Sequence, residues 1–114
     1  MDIAILDTSA TCHMPDVLEM PFTPPVLGAN PEGKYLYRFA GNTCLSGDNI
    51  GQYRFDQPLK VGDIVVFLDM ALYTIVKNTT FNGIPLPSIY ARKIDGSDHL
   101  VKAFDYQYFK ERLS

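Results

Sequence analysis

At 114 residues, with 46% apolar side chains, the chain has the size of one domain and can bury a core of its own. Thirteen acids against ten bases leave a formal charge of −3, and the bases are scattered, which argues against a nucleic-acid surface and for a small-molecule or protein partner. No apolar run approaches the ~18 residues of a membrane span, and the start, Met1-Asp2-Ile3-Ala4, lacks the basic residues of a signal peptide, so no membrane partner and a cytoplasmic home are expected.

Ile3 to Leu6 is an apolar run with strand character, entered without a turn or cap before it. Such a start reads as a chain cut at a strand, the second half of something larger, with a short protein whose first strand begins early as the alternative. The following stretch, Asp7-Thr8-Ser9-Ala10-Thr11-Cys12-His13-Met14-Pro15-Asp16, carries small polar side chains that no core strand would use. Asp7 closes the apolar run as a turn or cap residue does, and His13 beside Pro15 reads as a loop hydrogen-bonder. His13 and His99 are the only histidines, and neither Cys12 nor Cys44 has a second cysteine at ligand spacing; no metal site is expected, and both cysteines read as thiols.

Pro21, Pro24, Pro25 and Pro31, together with Gly28 and Gly33, exclude a helix over most of Pro21 to Gly33 and predict an extended, turning connection. Tyr35 to Ala40 resumes strand alternation, with Tyr35, Tyr37 and Phe39 on one face. In Gly41-Asn42-Thr43-Cys44-Leu45-Ser46-Gly47-Asp48, two glycines bracket a thiol and precede a carboxylate, an arrangement that lets backbone approach a ligand and presents sulfur from a turn. The residue type by itself favours a buried, inert Cys44. Tyr53 to Phe55, the Val61-Gly62-Asp63 turn and the run Ile64 to Leu68 predict a hairpin approach into a buried strand.

From Asp69 to Gly83, Tyr73, Thr74, Thr79, Thr80 and Asn82 bring hydroxyls and amides among Ile75, Val76 and Phe81, as in a segment that lines a site or an interface. Its backbone pattern predicts a strand followed by an Asn-Gly turn. Ser88 to Arg92 predicts another strand, Asp95-Gly96 a hairpin turn and Leu100 to Phe104 the return strand. Asp105 caps a final helical stretch in which Tyr106, Phe109 and Leu113 recur at spacings of three and four. The whole reads as a mainly β domain, a barrel or sandwich with a short C-terminal helix.

Three segments, His-Met-Pro-Asp at 13–16, Gly41 to Asp48, and Tyr-Thr-Ile-Val-Lys-Asn-Thr-Thr-Phe-Asn-Gly at 73–83, resemble in order and spacing the carboxynorspermidine/carboxyspermidine decarboxylases. These belong with the ornithine, arginine, diaminopimelate and lysine decarboxylases, fold-type III enzymes of pyridoxal 5'-phosphate. The resemblance covers nearly all of residues 1–114 and implies the C-terminal β domain of an enzyme whose N-terminal (β/α)8 barrel is absent from this chain. It further implies a homodimer with shared active sites that makes norspermidine or spermidine in polyamine biosynthesis, the cofactor being held covalently by a lysine outside this chain. The segment alone is then expected to be inactive.

By the same resemblance Cys44 matches the cysteine that returns a proton to carbon from the neighbouring subunit, and a free thiol, mostly protonated at neutral pH, suits a donor. Tyr73 matches the tyrosine that meets the cofactor phosphate. Asp16 is assigned to a substrate ammonium, with Asp7 as competitor at the place where ornithine-type enzymes keep a substrate-binding aspartate, and His13 placed to orient either. Asp48 is expected to contact substrate or, preferably, to make a salt bridge across the dimer. The sequence departs from the pattern at Leu72, where a histidine is expected, and at Leu45, where ornithine and diaminopimelate enzymes place an acid. Two further readings stand beside this one: a non-catalytic regulatory β module, and a decarboxylase of another amino acid such as diaminopimelate, which the missing acid disfavours.

Overall fold

The computed structural model describes residues 1–20 and 22–113; Pro21, the first proline of the expected connection, lies outside the described residues. Strands β1 (Asp2–Ile5), β2 (Tyr35–Ala40) and β3 (Asn49–Phe55) form one sheet in that order. The central strand alternates as expected: Tyr37 and Phe39 point into the core, where Ile50, Tyr53 and Phe55 of β3 meet them. Strands β2 and β3 are antiparallel, with Tyr37 opposite Tyr53. By contrast β1 runs parallel to β2, and a parallel neighbour requires a crossover. Residues 6–34 provide it through two short helices, α1 (Ala10–His13) and α2 (Pro15–Glu19), and the proline-rich connection.

Phe39 is fully buried, its ring 4.8 Å from that of Tyr53, 6.0 Å from Phe55 and 6.2 Å edge-on from Phe67. Truncation to alanine would cost about 3–5 kcal/mol, comparable to the whole stability of a small domain. Burial pushes the Tyr53 phenol up to about 12, so it stays a donor, and it gives its hydrogen bond to the Pro24 carbonyl at 2.7 Å.

Three expectations are corrected. The polar stretch after β1 is not a plain loop: Ser9 caps α1 by accepting from Cys12 N at 3.2 Å, and Pro15 opens α2, where a missing N–H costs nothing. The Ile64–Leu68 run is not a buried strand. It makes a single bridge, Phe67 opposite Val26, because the facing segment is Pro24-Pro25 and proline has no N–H to extend a ladder. Ile64 is left 89% exposed. Finally, the β-branched residues after Asp69 do not form a strand but helix α3 (Ala71–Lys77), followed by a 3₁₀ turn at Phe81–Gly83. Helix α3 lies beside α1 and α2 with Ile75 and Val76 exposed, and a strand preference that reflects packing on a sheet face does not decide the backbone where no such face is at hand.

The hairpin is present as β4 (Ile89–Arg92) and β5 (Asp98–Lys102), its return strand starting two residues earlier than expected, and Asp105 caps α4 (Tyr106–Leu113) by accepting from Gln107 N at 3.0 Å. Within this chain the two sheets stay open rather than closing into a barrel, and among the described residues β1 has β2 on one side and no strand on the other.

Candidate active site

Helix α1 is the fixed point from which the candidate residues are hung. The loop between β2 and β3 folds back on itself, Gly41 N donating to Asp48 O at 2.8 Å, and Cys44 sits on it with its side chain exposed. Asp48 locks this loop to α1. Its carboxylate accepts from Ser9 Oγ at 2.8 Å, from Ala10 N at 2.6 Å, and from both the hydroxyl and the N–H of Thr43. Burial pushes the Asp48 carboxyl up, but the hydrogen bonds from Thr43, Ser9 and the backbone outweigh it and hold the group below its ordinary range. Gly41 is required there, since a Cβ would fall on the carboxylate.

Asp48 was expected on substrate or at a dimer interface. At 4% exposure, with its oxygens engaged by Ser9, Ala10 and Thr43, it is instead an internal anchor. A carboxylate already satisfied by that many donors has little left to offer a partner.

The second segment hung on α1 is the 3₁₀ turn. Cys12, buried, accepts from Thr79 N at 2.8 Å through its carbonyl, and its thiol donates to Phe81 O at 3.3 Å. This places Asn82, whose left-handed backbone (φ 62°) is the turn conformation that Asn tolerates, with its Nδ2 3.0 Å from Cys44 Sγ. The turn signal was legible in the sequence; the aim of the amide was not.

His13 closes the third connection. Its Nδ1 faces the Ser9 N–H (3.3 Å) and the Thr8 hydroxyl (2.7 Å), so the proton is assigned to Nε2, which donates to Pro85 O at 3.0 Å. Burial lowers its pKa, opposed by the Pro85 carbonyl, Asp48 and Asp7, and the neutral ring is the form these bonds fit. The expectation that His13 orients Asp16 or Asp7 finds no support in a hydrogen bond: its ring nitrogens are taken up by Thr8, Ser9 and Pro85.

A separate cluster joins Asp16 and Tyr73 through Lys77. Lys77 Nζ lies 2.9 Å from Asp16 Oδ1, 2.9 Å from Glu19 Oε2, and 5.5 Å from the centre of the Tyr73 ring. Spacings of three on α2 and four on α3 put each pair on one helix face. Nothing local in sequence joins Lys77 to partners some sixty positions away. Asp7 lies in the wall of a cavity of about 590 Å³ shared with Leu6, Thr8, Met14 and Ile64, near enough to His13 for its charge to act on the ring.

Tyr73 and Cys44 are open to a ligand approaching from the surface, whereas Lys77 is not suited to anchor a cofactor covalently. Tyr73 is 60% exposed and Cys44 is exposed too. A lysine that forms a covalent bond must become a neutral amine, whereas hydrogen bonds from Lys77 to Asp16 and Glu19 raise its pKa and hold it as a cation. Among the described residues no group of three or more His, Cys, Asp and Glu side chains is placed to hold a metal ion, and no helix is long and apolar enough to cross a membrane.

An open mixed sheet whose two parallel strands are joined by a helical crossover, with a thiol loop and a tyrosine-bearing helix hung on it, defines a sheet domain of the decarboxylase type. The chain belongs to the family described as pyridoxal-dependent decarboxylase, C-terminal sheet domain, whose model matches residues 1–71. It is 50% identical over 112 residues to a carboxyaminopropylagmatine decarboxylase of Synechocystis, covering 96% of this chain and 29% of that protein. It is 45% identical over 123 residues to a carboxynorspermidine/carboxyspermidine decarboxylase of Campylobacter jejuni, covering 96% of this chain and 32% of the relative. The crystal structure of carboxynorspermidine decarboxylase from Campylobacter jejuni, complexed with norspermidine, superposes with a TM-score of 0.92 at 45% identity over 96% of this chain and 34% of that one. The chain thus spans about a third of the length of these relatives.

Proposed function

We propose that this chain is the C-terminal β domain, residues 1–114, of a pyridoxal-phosphate decarboxylase of polyamine biosynthesis that converts carboxynorspermidine or carboxyspermidine to norspermidine or spermidine. The observation that carries the reading is the Cys44 sulfur, exposed at the surface on a loop that a buried Asp48 holds to α1, with Asn82 as its hydrogen-bond donor. An inert structural cysteine would be enclosed, as Cys12 is.

When bound, pyridoxal phosphate supplies the electron sink that lets carbon dioxide leave. Cys44 then donates its proton to the carbon from which the carboxylate departed. The Tyr73 hydroxyl binds the cofactor phosphate, and Asp16 or Asp7 meets an ammonium of the substrate. The covalent lysine belongs to a barrel domain outside this chain, and an exposed thiol suits a homodimer in which Cys44 serves the site of the neighbouring copy. Two free thiols also suit a reducing compartment, the cytoplasm.

The 50% identity to the Synechocystis protein favours a second substrate, carboxyaminopropylagmatine, which ends in a guanidinium where the triamines end in an amine. The test replaces the matching segment of the Campylobacter jejuni enzyme with this chain and measures carbon dioxide release from the three carboxylated amines. Turnover of one of them, abolished by Cys44→Ala, is expected. A chimera that assembles as a dimer and binds pyridoxal phosphate yet decarboxylates none of the three overturns the proposal.

A further inference from the structure

We infer that Asn82 is a positioning residue for the Cys44 thiol: its amide holds the sulfur in one orientation and favours the thiolate left behind when the proton is given up. The inference rests on the reading of Cys44 as a proton donor and adds to it the group that makes donation efficient.

The geometry carries it. Asn82 Nδ2 stands 3.0 Å from Cys44 Sγ although 38 positions separate the two residues. An amide N–H can only donate, so sulfur is the acceptor, and a donor to sulfur favours the charged form over the neutral one. Both partners are fixed to the same short helix. The cysteine loop is tied to it through Asp48 to Ser9 and Ala10, and the 3₁₀ turn through Cys12 to Thr79 and Phe81. The turn is further closed by Gly83 N donating to Thr80 O at 2.9 Å, with Thr80 buried. Two exposed side chains would otherwise have no reason to hold one distance.

A backbone at φ 62° suits Asn by itself; what the turn does not supply is an aim for the amide at a sulfur 38 positions away. Buried Cys12 gains an explanation at the same time: through its thiol and its carbonyl it sets the height of the turn over the cysteine loop.

The experiment uses the chimeric holoenzyme described above, with Asn82→Gly, which keeps the backbone conformation and removes the donor, and Asn82→Asp, which keeps the shape and puts negative charge beside the sulfur. Alkylation of Cys44 by iodoacetamide at neutral pH is followed by peptide mass mapping, which separates it from other cysteines. Loss of the donor leaves less thiolate, and because nucleophilicity partly compensates, a tenfold drop in thiolate slows alkylation by about threefold. Slowing of that order is expected in Asn82→Gly and more in Asn82→Asp, with kcat falling in both and KM unchanged. A merely structural Asn82 would not slow alkylation, since the sulfur is already exposed and a loosened turn only frees it further. Unchanged or faster alkylation in the two variants overturns the inference, whatever the activity. Full turnover by Cys44→Ala instead defeats the reading of Cys44 and leaves the alkylation result standing on its own.

Discussion

Ser9 Oγ donates to Asp48 Oδ2 at 2.8 Å, joining the cap of α1 to the end of the loop that carries Cys44. One serine thus serves two purposes, capping the helix at Cys12 N and holding the carboxylate. Replacing Asp48 by Ala leaves the Ala10 N–H and the Ser9 and Thr43 hydroxyls without their acceptor in a buried place. The expected cost is about 2–3 kcal/mol in urea denaturation. Gly41→Ala is expected to cost a similar amount, because the added carbon displaces the same carboxylate. A fall below about 0.5 kcal/mol in both would remove Asp48 as the anchor of the loop.

Two linked pH windows follow from the shifted groups. His13 is lowered from 6.5, so on acidification the unfolded chain takes up a proton before the folded one does. Stability from this group is full above 6.5 and is lost as the pH falls from there through the folded value. Asp48 is likewise lowered from 3.8, and its contribution, present above 3.8, is lost as the pH falls below that value through the folded pKa. Thermal melts across this range should show two descending steps. His13→Gln should erase the upper step and keep the lower one; survival of the upper step would assign it to another group.

Asp16 and Lys77 give the most direct check on substrate recognition. Their ion pair is at the surface and screened by solvent, so breaking it by Lys77→Met should leave stability nearly unchanged. If Asp16 also meets a substrate ammonium, Asp16→Asn in the chimera raises KM for the triamine by tenfold or so, while Lys77→Met does not raise it. Equal KM values for the two variants would confine Asp16 to holding α2 and α3 together and leave Asp7 as the substrate carboxylate.

Cys44 and Tyr73 should separate cleanly in kinetics. Cys44→Ala is expected to lower kcat by roughly 10²–10⁴ while leaving cofactor affinity unchanged, as loss of a proton donor does. Tyr73→Phe is expected to weaken pyridoxal phosphate binding by about tenfold or more, the value of one hydrogen bond to a charged group, with a smaller change in kcat. Titration of the apo chimera with pyridoxal phosphate measures the second effect, and an unaltered dissociation constant would take the phenol away from the phosphate.

Alternation was enough to place β2, because Tyr37 and Phe39 must share a face wherever the rest of the chain goes, and the Asp105 cap and the Asn82-Gly83 turn are equally local. The order and spacing of the segments around His13, Cys44 and Tyr73 were enough to indicate the decarboxylase family. What local pattern misjudged was α3, whose strand-prone residues become helical beside α1 and α2, and Ile64–Leu68, where two prolines on the facing segment stop a ladder. Only the folded chain assigned partners across long separations. Asp48 turned inward to Ser9, Lys77 reached back to Asp16 and Glu19, and Asn82 met Cys44. Periodicity reports which way a side chain faces along its own element, but a hydrogen bond between distant segments depends on how the helix between them is anchored, and that is decided by packing.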